Sequence, residues 1–342
     1  MSFANDFYKI ISDVFKPDPK WTEWYVKNVF NEDNLFVAKV DEKPAAVLLA
    51  SPYEMEFHGA TVPCRFISSV ATLAAHRGKG LMRSLMHMAL DKIWSEHTPF
   101  AAIIPASRPL YFIYDRMGFA TVFYVNEERY SSVHQFEKGD FEAVEPTFEF
   151  FSRLEKCRKG NVRHNEAQFK IATESCRLSL GSVYAVSNGE GSEAMAFTKF
   201  NGHEIVVVDI LATDPAAYEA VLSQVRLHEG DKSIILYGFP TDDTISLRSY
   251  AMIRLVNVKA VLDVIAKAYP KTSMTIRVKD SFLPQNNGIY ILKSGNCMVE
   301  ESFEKIDLDV SAKVLAEILF STPQIGDLFN LPTRRPFISL MP

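Results

Sequence analysis

Ser69-Val70-Ala71-Thr72-Leu73-Ala74-Ala75-His76-Arg77-Gly78-Lys79-Gly80-Leu81-Met82-Arg83 is the stretch from which the fold is read. Before it, Val62 to Leu73 has the composition of a buried strand. After it, apolar residues at 81, 82, 85, 86, 89, 90, 93 and 94 mark an amphipathic helix from Leu81 to Trp94. Arg77-Gly78-Lys79-Gly80 lies between them. A strand, a glycine-rich turn and a helix in this order leave several N–H groups at the helix start unpaired and pointing outward. Those amides and the positive end of the helix dipole form an anion site suited to a pyrophosphate. Gly78 and Gly80 permit positive φ and close backbone approach, while Arg77, Lys79 and Arg83 add positive charge. An R-x-x-G pair alone is a chance event in a chain of this length. Its placement gives it weight, because cations at a helix N-terminus oppose the dipole and their clustering asks for an anionic ligand. The alternative is a solvated helix start that basic residues happen to flank.

Outward from that stretch, Asn5 to Phe15 and Trp21 to Phe30 carry helical spacing on either side of Lys16-Pro17-Asp18-Pro19. Strands are expected at Leu35 to Val40, Ala45 to Ser51, Glu56 to His58, Phe100 to Ile104 and Ala120 to Val125, with a short helix from Leu110 to Met117 ended by Gly118. Residues 1–130 therefore read as one α/β unit, followed by the polar run Ser131 to Asp140. A second unit, 131–241, repeats the order. It has a helix at Glu166 to Leu178, strands at Val183 to Val186, Ala194 to Phe200 and Glu204 to Leu211, a helix from Asp214-Pro215 to Leu227, and a strand at Ser233 to Tyr237. Its junction, Leu211-Ala212-Thr213-Asp214-Pro215, bears an acid and a proline and no glycine or arginine, so it is not expected to bind a pyrophosphate. A third unit, 242–342, is read from a strand at Leu247 to Leu255, a helix at Val258 to Ala268, strands at Met274 to Val278 and Gly288 to Leu292, and a helix at Ala312 to Phe320. The apolar, proline-bearing end from Leu331 to Pro342 reads as an ordered extended tail.

Composition bounds the function. With 342 residues, 47% hydrophobic and 23% charged, the chain is an ordinary globular protein of two or three domains. A formal charge of -5 gives no basic field for nucleic acid. Cys64, Cys157, Cys176 and Cys297 have neither metal-ligand nor framework spacing, so no metal is expected. No apolar run of ~18 residues suggests a membrane span, and the first twenty residues lack secretory signal features, so a cytoplasmic protein is expected.

Val70-Ala71-Thr72-x-x-x-His76-Arg77-Gly78-Lys79-Gly80-Leu81 resembles motif A of the GNAT superfamily of N-acetyltransferases, and Tyr114-Asp115-Arg116-Met117-Gly118-Phe119 resembles its Y-x-x-x-G-F segment. Met82 stands where most members have Gly or Ala, so packing at the helix start differs. With His76-Arg77 and Leu81-Met82-Arg83, the chain is similar to the enhanced intracellular survival (Eis) family. The resemblance implies mixed α/β sheets in tandem GNAT-like folds, followed by a sterol-carrier-protein-like domain to which Ala251 to Val256 and Asn287 to Tyr290 are assigned. It implies acetyl-CoA as cofactor, with the strand at Val70, Ala71 and Thr72 pairing with the pantetheine arm. The loop from Arg77 through Gly78, Lys79, Gly80, Leu81 and Met82 to Arg83 would hold the pyrophosphate. Ser107 matches a serine near the cofactor, or else lies on a surface turn. Self-association as a homo-oligomer is also implied.

Acetyl transfer to an amine needs a neutral nucleophile, a polarised thioester carbonyl and a proton for the departing thiolate. The resemblance carries the proton-donor role onto Tyr114, with Tyr111 and Tyr124 as local competitors. It carries an acceptor-site role, base or anchor, onto the main-chain carboxylate of Pro342. The tail then acts as a plug, the alternative being a cover over the core of the third domain. Ser339-Leu340-Met341 offers no acidic residue beside that carboxylate, which argues against aminoglycoside-like polycations. Trp21, Glu23, Trp24 and Tyr25 are candidates to line the acceptor pocket, although aromatics at helical spacing also build cores. The expected acceptor is a primary amine of a small molecule or a lysine side chain. A catalytically silent acyl-CoA- or lipid-binding protein is the competing reading.

Overall fold

The structure, a computed structural model, describes residues 3–239, 247–301, 305–320 and 336–342. It opens with α1 (Phe3–Phe15) and α2 (Pro19–Asn28). α2 starts ahead of the expected Trp21 because the Asp18 carboxylate accepts the Lys20 N–H at 2.8 Å and Pro19 fits a first turn that needs no N–H. β1 (Leu35–Val40), β2 (Lys43–Phe57) and β3 (Ala60–Thr72) form an antiparallel meander, β2 being one long strand where two are expected. α3 (Leu81–Ser95) leads to β4 (Phe100–Ile103), which runs parallel to β3. α4 (Arg108–Asp115) begins ahead of Leu110, with Pro109 in its first turn, and β5 (Ala120–Tyr130) follows.

The middle of the chain holds β6 (Glu142–Ala143), α5 (Phe148–Cys157), β7 (Val162–Arg163), α6 (Glu166–Leu178), β8 (Val183–Ser187), β9 (Glu193–Phe200), β10 (Ile205–Ala212), α7 (Pro215–Glu229) and β11 (Ile234–Gly238). α5 escapes the sequence reading; Thr147 caps it, and Phe150, Phe151 and Leu154 form its buried face. Then come β12 (Leu247–Leu255), α8 (Val258–Ala268), β13 (Met274–Lys279), β14 (Gly288–Lys293), β15 (Asn296–Glu300), β16 (Leu308–Ser311) and α9 (Ala312–Phe320). The boundary expected near Asp242 and the tail segment Leu331 to Arg335 lie outside the described residues. Among the described residues no helix is long and apolar enough to cross a membrane.

These elements gather into two compact units, one of Met1–Phe123 with Tyr250–Pro336, the other of Tyr124–Ser249 with Phe337–Pro342. In the first, strands lie in the order β1-β2-β3-β4-β12, with β12 antiparallel to β4 from Met252↔Ile103 to Leu255↔Phe100. Ala251 to Leu255, assigned from sequence to the third unit, is thus the strand beside β4 in the sheet that carries the quoted stretch. Successive β2 residues face opposite ways. Val47 and Leu49 pack with Phe7, Tyr25 and Ala71 under α1 and α2, whereas Leu48 and Ala50 pack with Met86, Leu90, Tyr114 and Phe119 under α3 and α4. A smaller sheet, β15-β14-β13-β16, completes the unit.

The second unit repeats the order of two helices, a three-strand meander (β8-β9-β10), a helix (α7) and a parallel strand (β11). Its crossover helix is closed by its own side chain. Asp214 caps α7, accepting the Ala217 N–H at 2.9 Å, and hydrogen bonds from the Ser192 hydroxyl, that N–H and Thr213 hold its carboxyl below the usual range. Asp214→Ala is expected to cost about 1 kcal/mol, read as a lower urea midpoint. An unchanged midpoint would show that water caps α7 as well as the carboxylate does.

The tail docks on this second unit. Phe337 bridges the loop before β7, its N–H reaching Gly160 O at 3.3 Å and its carbonyl accepting from Val162 at 3.4 Å. Ser339 Oγ donates to Asp209 Oδ2 at 2.6 Å, and Leu340 packs on the cluster of Phe150, Phe151, Leu154 and Phe197. Arg158 donates to both Asp209 oxygens, at 3.0 and 2.7 Å, and lies 4.8 Å over the Phe337 ring. The tail therefore covers the second unit's core, not that of the segment from 242 onward, because its apolar residues find the α5–α6 face.

Candidate active site

The quoted stretch folds as a strand that outruns its neighbour. β4 ends at Ile103, level with Ile67, and β3 continues to Thr72. Leu49 faces Ser68 and Val47 faces Ala71, so Ser69 and Val70 together oppose Leu48 in a β-bulge, with Ser69 at φ 52°. This bends the end of β3 just where it passes β4. A 3-10 turn at Ala74–His76 leads to Gly78 (φ 75°) and Gly80 (φ 79°), and α3 begins.

The start of α3 is bare. Gly80 occupies the cap position in the left-handed region and offers no capping side chain. The first bond of the helix runs from Ser84 N–H to Gly80 O at 3.0 Å, leaving the amides of the preceding turn without intrahelical acceptors. Open space surrounds the Cα of both glycines. Arg77, Lys79 and Arg83 are exposed, and none of them forms an ion pair among the described residues. Arg77 Nε donates to Thr72 O at 3.2 Å, folding the turn back on β3; Lys79 Nζ lies 3.4 Å from His76 Nδ1; the Arg83 guanidinium sits 4.8 Å over Phe282. Three unpaired cations against uncapped amides oppose the helix dipole unless an anion joins them. α7 presents the opposite case, its N-terminus already holding a carboxylate.

Of the expected site residues, Val70, Met82 and Tyr114 meet around one cluster, on the face covered by α3 and α4. Tyr114 is 4% exposed, and burial pushes its phenol up to about 12 from the ordinary 10 that the sequence implies. Its hydroxyl has no hydrogen-bond partner among the described residues, whereas Tyr111 donates its own to Tyr250 O at 2.9 Å. Tyr124 falls in the second unit. Ser107 is exposed at the N-cap of α4 without bonding the helix, and Leu81 is half-buried.

The acceptor candidates lie on the other face of the sheet. Tyr25 is buried with its hydroxyl 3.1 Å from Ser69 Oγ and 3.3 Å from Ser68 Oγ, so α2 touches β3 at the bulge. Burial raises its pKa, and the two serine hydroxyls oppose that shift. Trp21 stacks on it at 4.7 Å, and Trp24 packs beside the same cluster. Glu23 is exposed on α2, and Pro342 belongs to the second unit. The Ser339 hydroxyl of the tail bonds Asp209, whose charge Arg158 already matches.

Sequence reading misses the groups behind α4. Arg254 on β12 is fully buried and paired with Asp280, its Nη2 lying 2.6 and 2.5 Å from the two carboxylate oxygens. A lone arginine inside Ala251-Met252-Ile253-Arg254-Leu255-Val256 is the signal that something buried pairs with it.

The sequence profile of the acetyltransferase (GNAT) domain matches residues 2–122. An uncharacterised N-acetyltransferase of Streptomyces coelicolor is 24% identical over 313 residues, covering 79% of this chain and 74% of its own length. Among solved structures, Eis1 from Mycobacterium abscessus superposes with a TM-score of 0.75 at 15% identity, covering 98% of this chain and 96% of that one. A probable N-acyltransferase from Enterococcus faecalis reaches 0.79 at 16% identity, with the same coverage of both chains. A GCN5-related N-acetyltransferase from Anabaena variabilis reaches 0.78 at 17%, again over 98% and 96%. At these identities the structural likeness speaks for the fold, a mixed α/β architecture shared over nearly the whole length. With the profile laid on the bulged strand, the bare helix start and the buried tyrosine, residues 2–122 are a GNAT acetyltransferase domain, which makes the protein an acetyltransferase enzyme.

Proposed function

We propose that the chain uses acetyl-CoA to acetylate a primary amine on a small molecule or a lysine side chain. The observation that carries this reading is the start of α3, where uncapped amides and the unpaired Arg77, Lys79 and Arg83 converge beyond the bulge in β3. These residues, with Gly78, Gly80, Leu81 and Met82, would hold the diphosphate. Val70, Ala71 and Thr72 would pair with the pantetheine arm, and Ser107 stands close by along the chain from β4. Acetyl-CoA, when bound, supplies an acetyl group activated as a thioester.

The protein's own residues then divide the work. A backbone N–H of the Val70–Thr72 stretch polarises the carbonyl oxygen, in the manner of an oxyanion hole. Tyr114 keeps its proton at neutral pH and offers it to the sulfur as charge develops there. With its pKa pushed up by burial it is a weaker acid than a free tyrosine, so it acts first as a hydrogen-bond donor. Tyr25, with Trp21 and Trp24, shapes the acceptor side of the bulge, and Glu23 is available to attract a cationic amine. The Pro342 carboxylate is assigned to orient the amine, since an α-carboxyl of pKa ~3.3 to 3.7 is a poor base. The repeated strand order and the self-capped α7 support a second GNAT-like domain without a cofactor site. The residues from 242 onward are assigned to a sterol-carrier-like domain. Self-association and a cytoplasmic setting complete the proposal.

Calorimetric titration with acetyl-CoA tests the foundation. Binding is expected, weakened by added salt and by Arg77→Ala/Arg83→Ala, because charge on the diphosphate supplies much of the attraction. No heat at several temperatures would remove the cofactor assignment. Binding without release of CoA thiol across polyamines, aminoglycosides and lysine peptides would remove the amine.

A further inference from the structure

The ion pair behind α4 touches more than its own strand. α4 ends in paired bonds, Phe119 N–H to Tyr114 O at 3.2 Å and Gly118 N–H to Asp115 O at 2.9 Å, with Gly118 at φ 81°. A Cβ on Gly118 would stand 2.8 Å from Arg254 Cζ and 3.1 Å from its Nε, so the guanidinium lies directly against this closure. Arg254 Nε is buried and has no hydrogen-bond partner among the described residues. A buried donor left unsatisfied is rare enough to want a reason, and a cation at the C-terminal end of a helix meets the favourable end of its dipole. Asp280, in turn, accepts the N–H groups of Phe282 and Leu283 at 3.1 and 3.0 Å and the Asn286 side chain at 3.0 Å. That fixes Phe282, whose ring lies under Arg83 and 5.4 Å from His87 on α3.

We propose that Arg254 is a positioning residue for Tyr114, acting through the Gly118 closure of α4, and that Asp280 and Phe282 extend the same brace to Arg83 on α3. The segment Arg254 to Asn286, outside the span matched by the GNAT profile, thereby sets both the proton donor and one diphosphate cation. The proposal rests on reading Tyr114 as the proton donor. A misplacement of the donor hydroxyl costs turnover without weakening cofactor binding, since the hydroxyl acts only as the thiolate leaves.

The test uses the full chain and the amine it turns over best. Arg254→Met/Asp280→Asn removes both charges while keeping an amide oxygen to accept the Phe282 and Leu283 N–H groups. It is expected to lower kcat about tenfold with wild-type melting, and to lower it no further in a Tyr114→Phe background. Phe282→Leu is expected to raise the acetyl-CoA Kd about threefold, the size of one exposed cation–π contact. Wild-type kcat in the pair variant, while Tyr114→Phe has lost activity, overturns the brace alone. Full activity in Tyr114→Phe overturns the donor reading and the proposal with it. Should the pair variant fail to fold, Arg254→Lys decides, because it keeps the charge opposite Asp280 and removes the flat guanidinium under Gly118. A fall in kcat at wild-type melting supports the brace, and wild-type kcat overturns it.

Discussion

Replacing Tyr114 by phenylalanine is expected to lower kcat about 100-fold or more, the usual size of a lost general acid, with little change in acetyl-CoA affinity. The ring stays in its cluster with Met117 and Phe119, so the fold loses nothing but a hydroxyl that no described residue binds. Stability therefore stays near wild type, and the kinetic loss is chemical. The pH profile carries the same argument further. A phenol raised to about 12 keeps its proton as pH rises, so Tyr114 contributes no loss of kcat/KM until pH approaches that value. The acceptor behaves oppositely: the neutral fraction of a lysine-like amine grows about tenfold per pH unit below its pKa of ~10.4. A climb in kcat/KM from about pH 7 to 9 is expected, without a descending limb. A bell centred near pH 7, or an unchanged kcat in the phenylalanine variant, would take Tyr114 out of the mechanism.

The second large effect is on stability. Asp209 is 1% exposed, pairs with Arg158 through both oxygens and accepts the Ser339 hydroxyl. Asp209→Ala strands the Arg158 charge in a nearly dry site and frees the tail's polar anchor. Breaking one side of such a pair costs about 3–5 kcal/mol, or roughly 6–20 °C in Tm at ~2–4 °C per kcal/mol. The Val162 amide, bonded to Phe337 O, is expected to exchange with solvent faster in the variant. A melting temperature within a degree of wild type, with unchanged exchange at Val162, would show that the tail is held by its apolar residues alone.

The parts of this molecule legible in the sequence are those decided locally. The period of the Leu81 to Trp94 helix, the two glycines before it and the cations around it need only neighbouring residues, and the structure places them as a bare helix start. Asp214-Pro215 is legible for the same reason, since a cap and a first-turn proline are local chemistry. Partnership between distant segments is another matter. Leu247 to Leu255 reads as a strand, and it is one, but nothing in its alternation names β4 as its neighbour. The bulge at Ser69 and Val70 is equally silent, because it is a mismatch of register with β2. Tyr25 looks like ordinary helix core, and it is buried; its reach to Ser68 and Ser69 follows from packing that no single-strand pattern encodes. Arg254 could have been flagged as a charge inside an apolar strand, though its partner Asp280 and its contact with Gly118 belong to the folded state.

The placement of β12 has a consequence for synthesis. β4 receives its antiparallel neighbour only after about 150 further residues have been translated. At roughly 5–20 residues/s the nascent chain waits on the order of ten seconds with Phe100 to Ile103 as an open edge. During that interval the edge is a template for pairing with other chains. A ribosome-bound fragment ending before Leu247 is thus a client for chaperones, and a gene cut after residue 122 yields a sheet with one border unfinished.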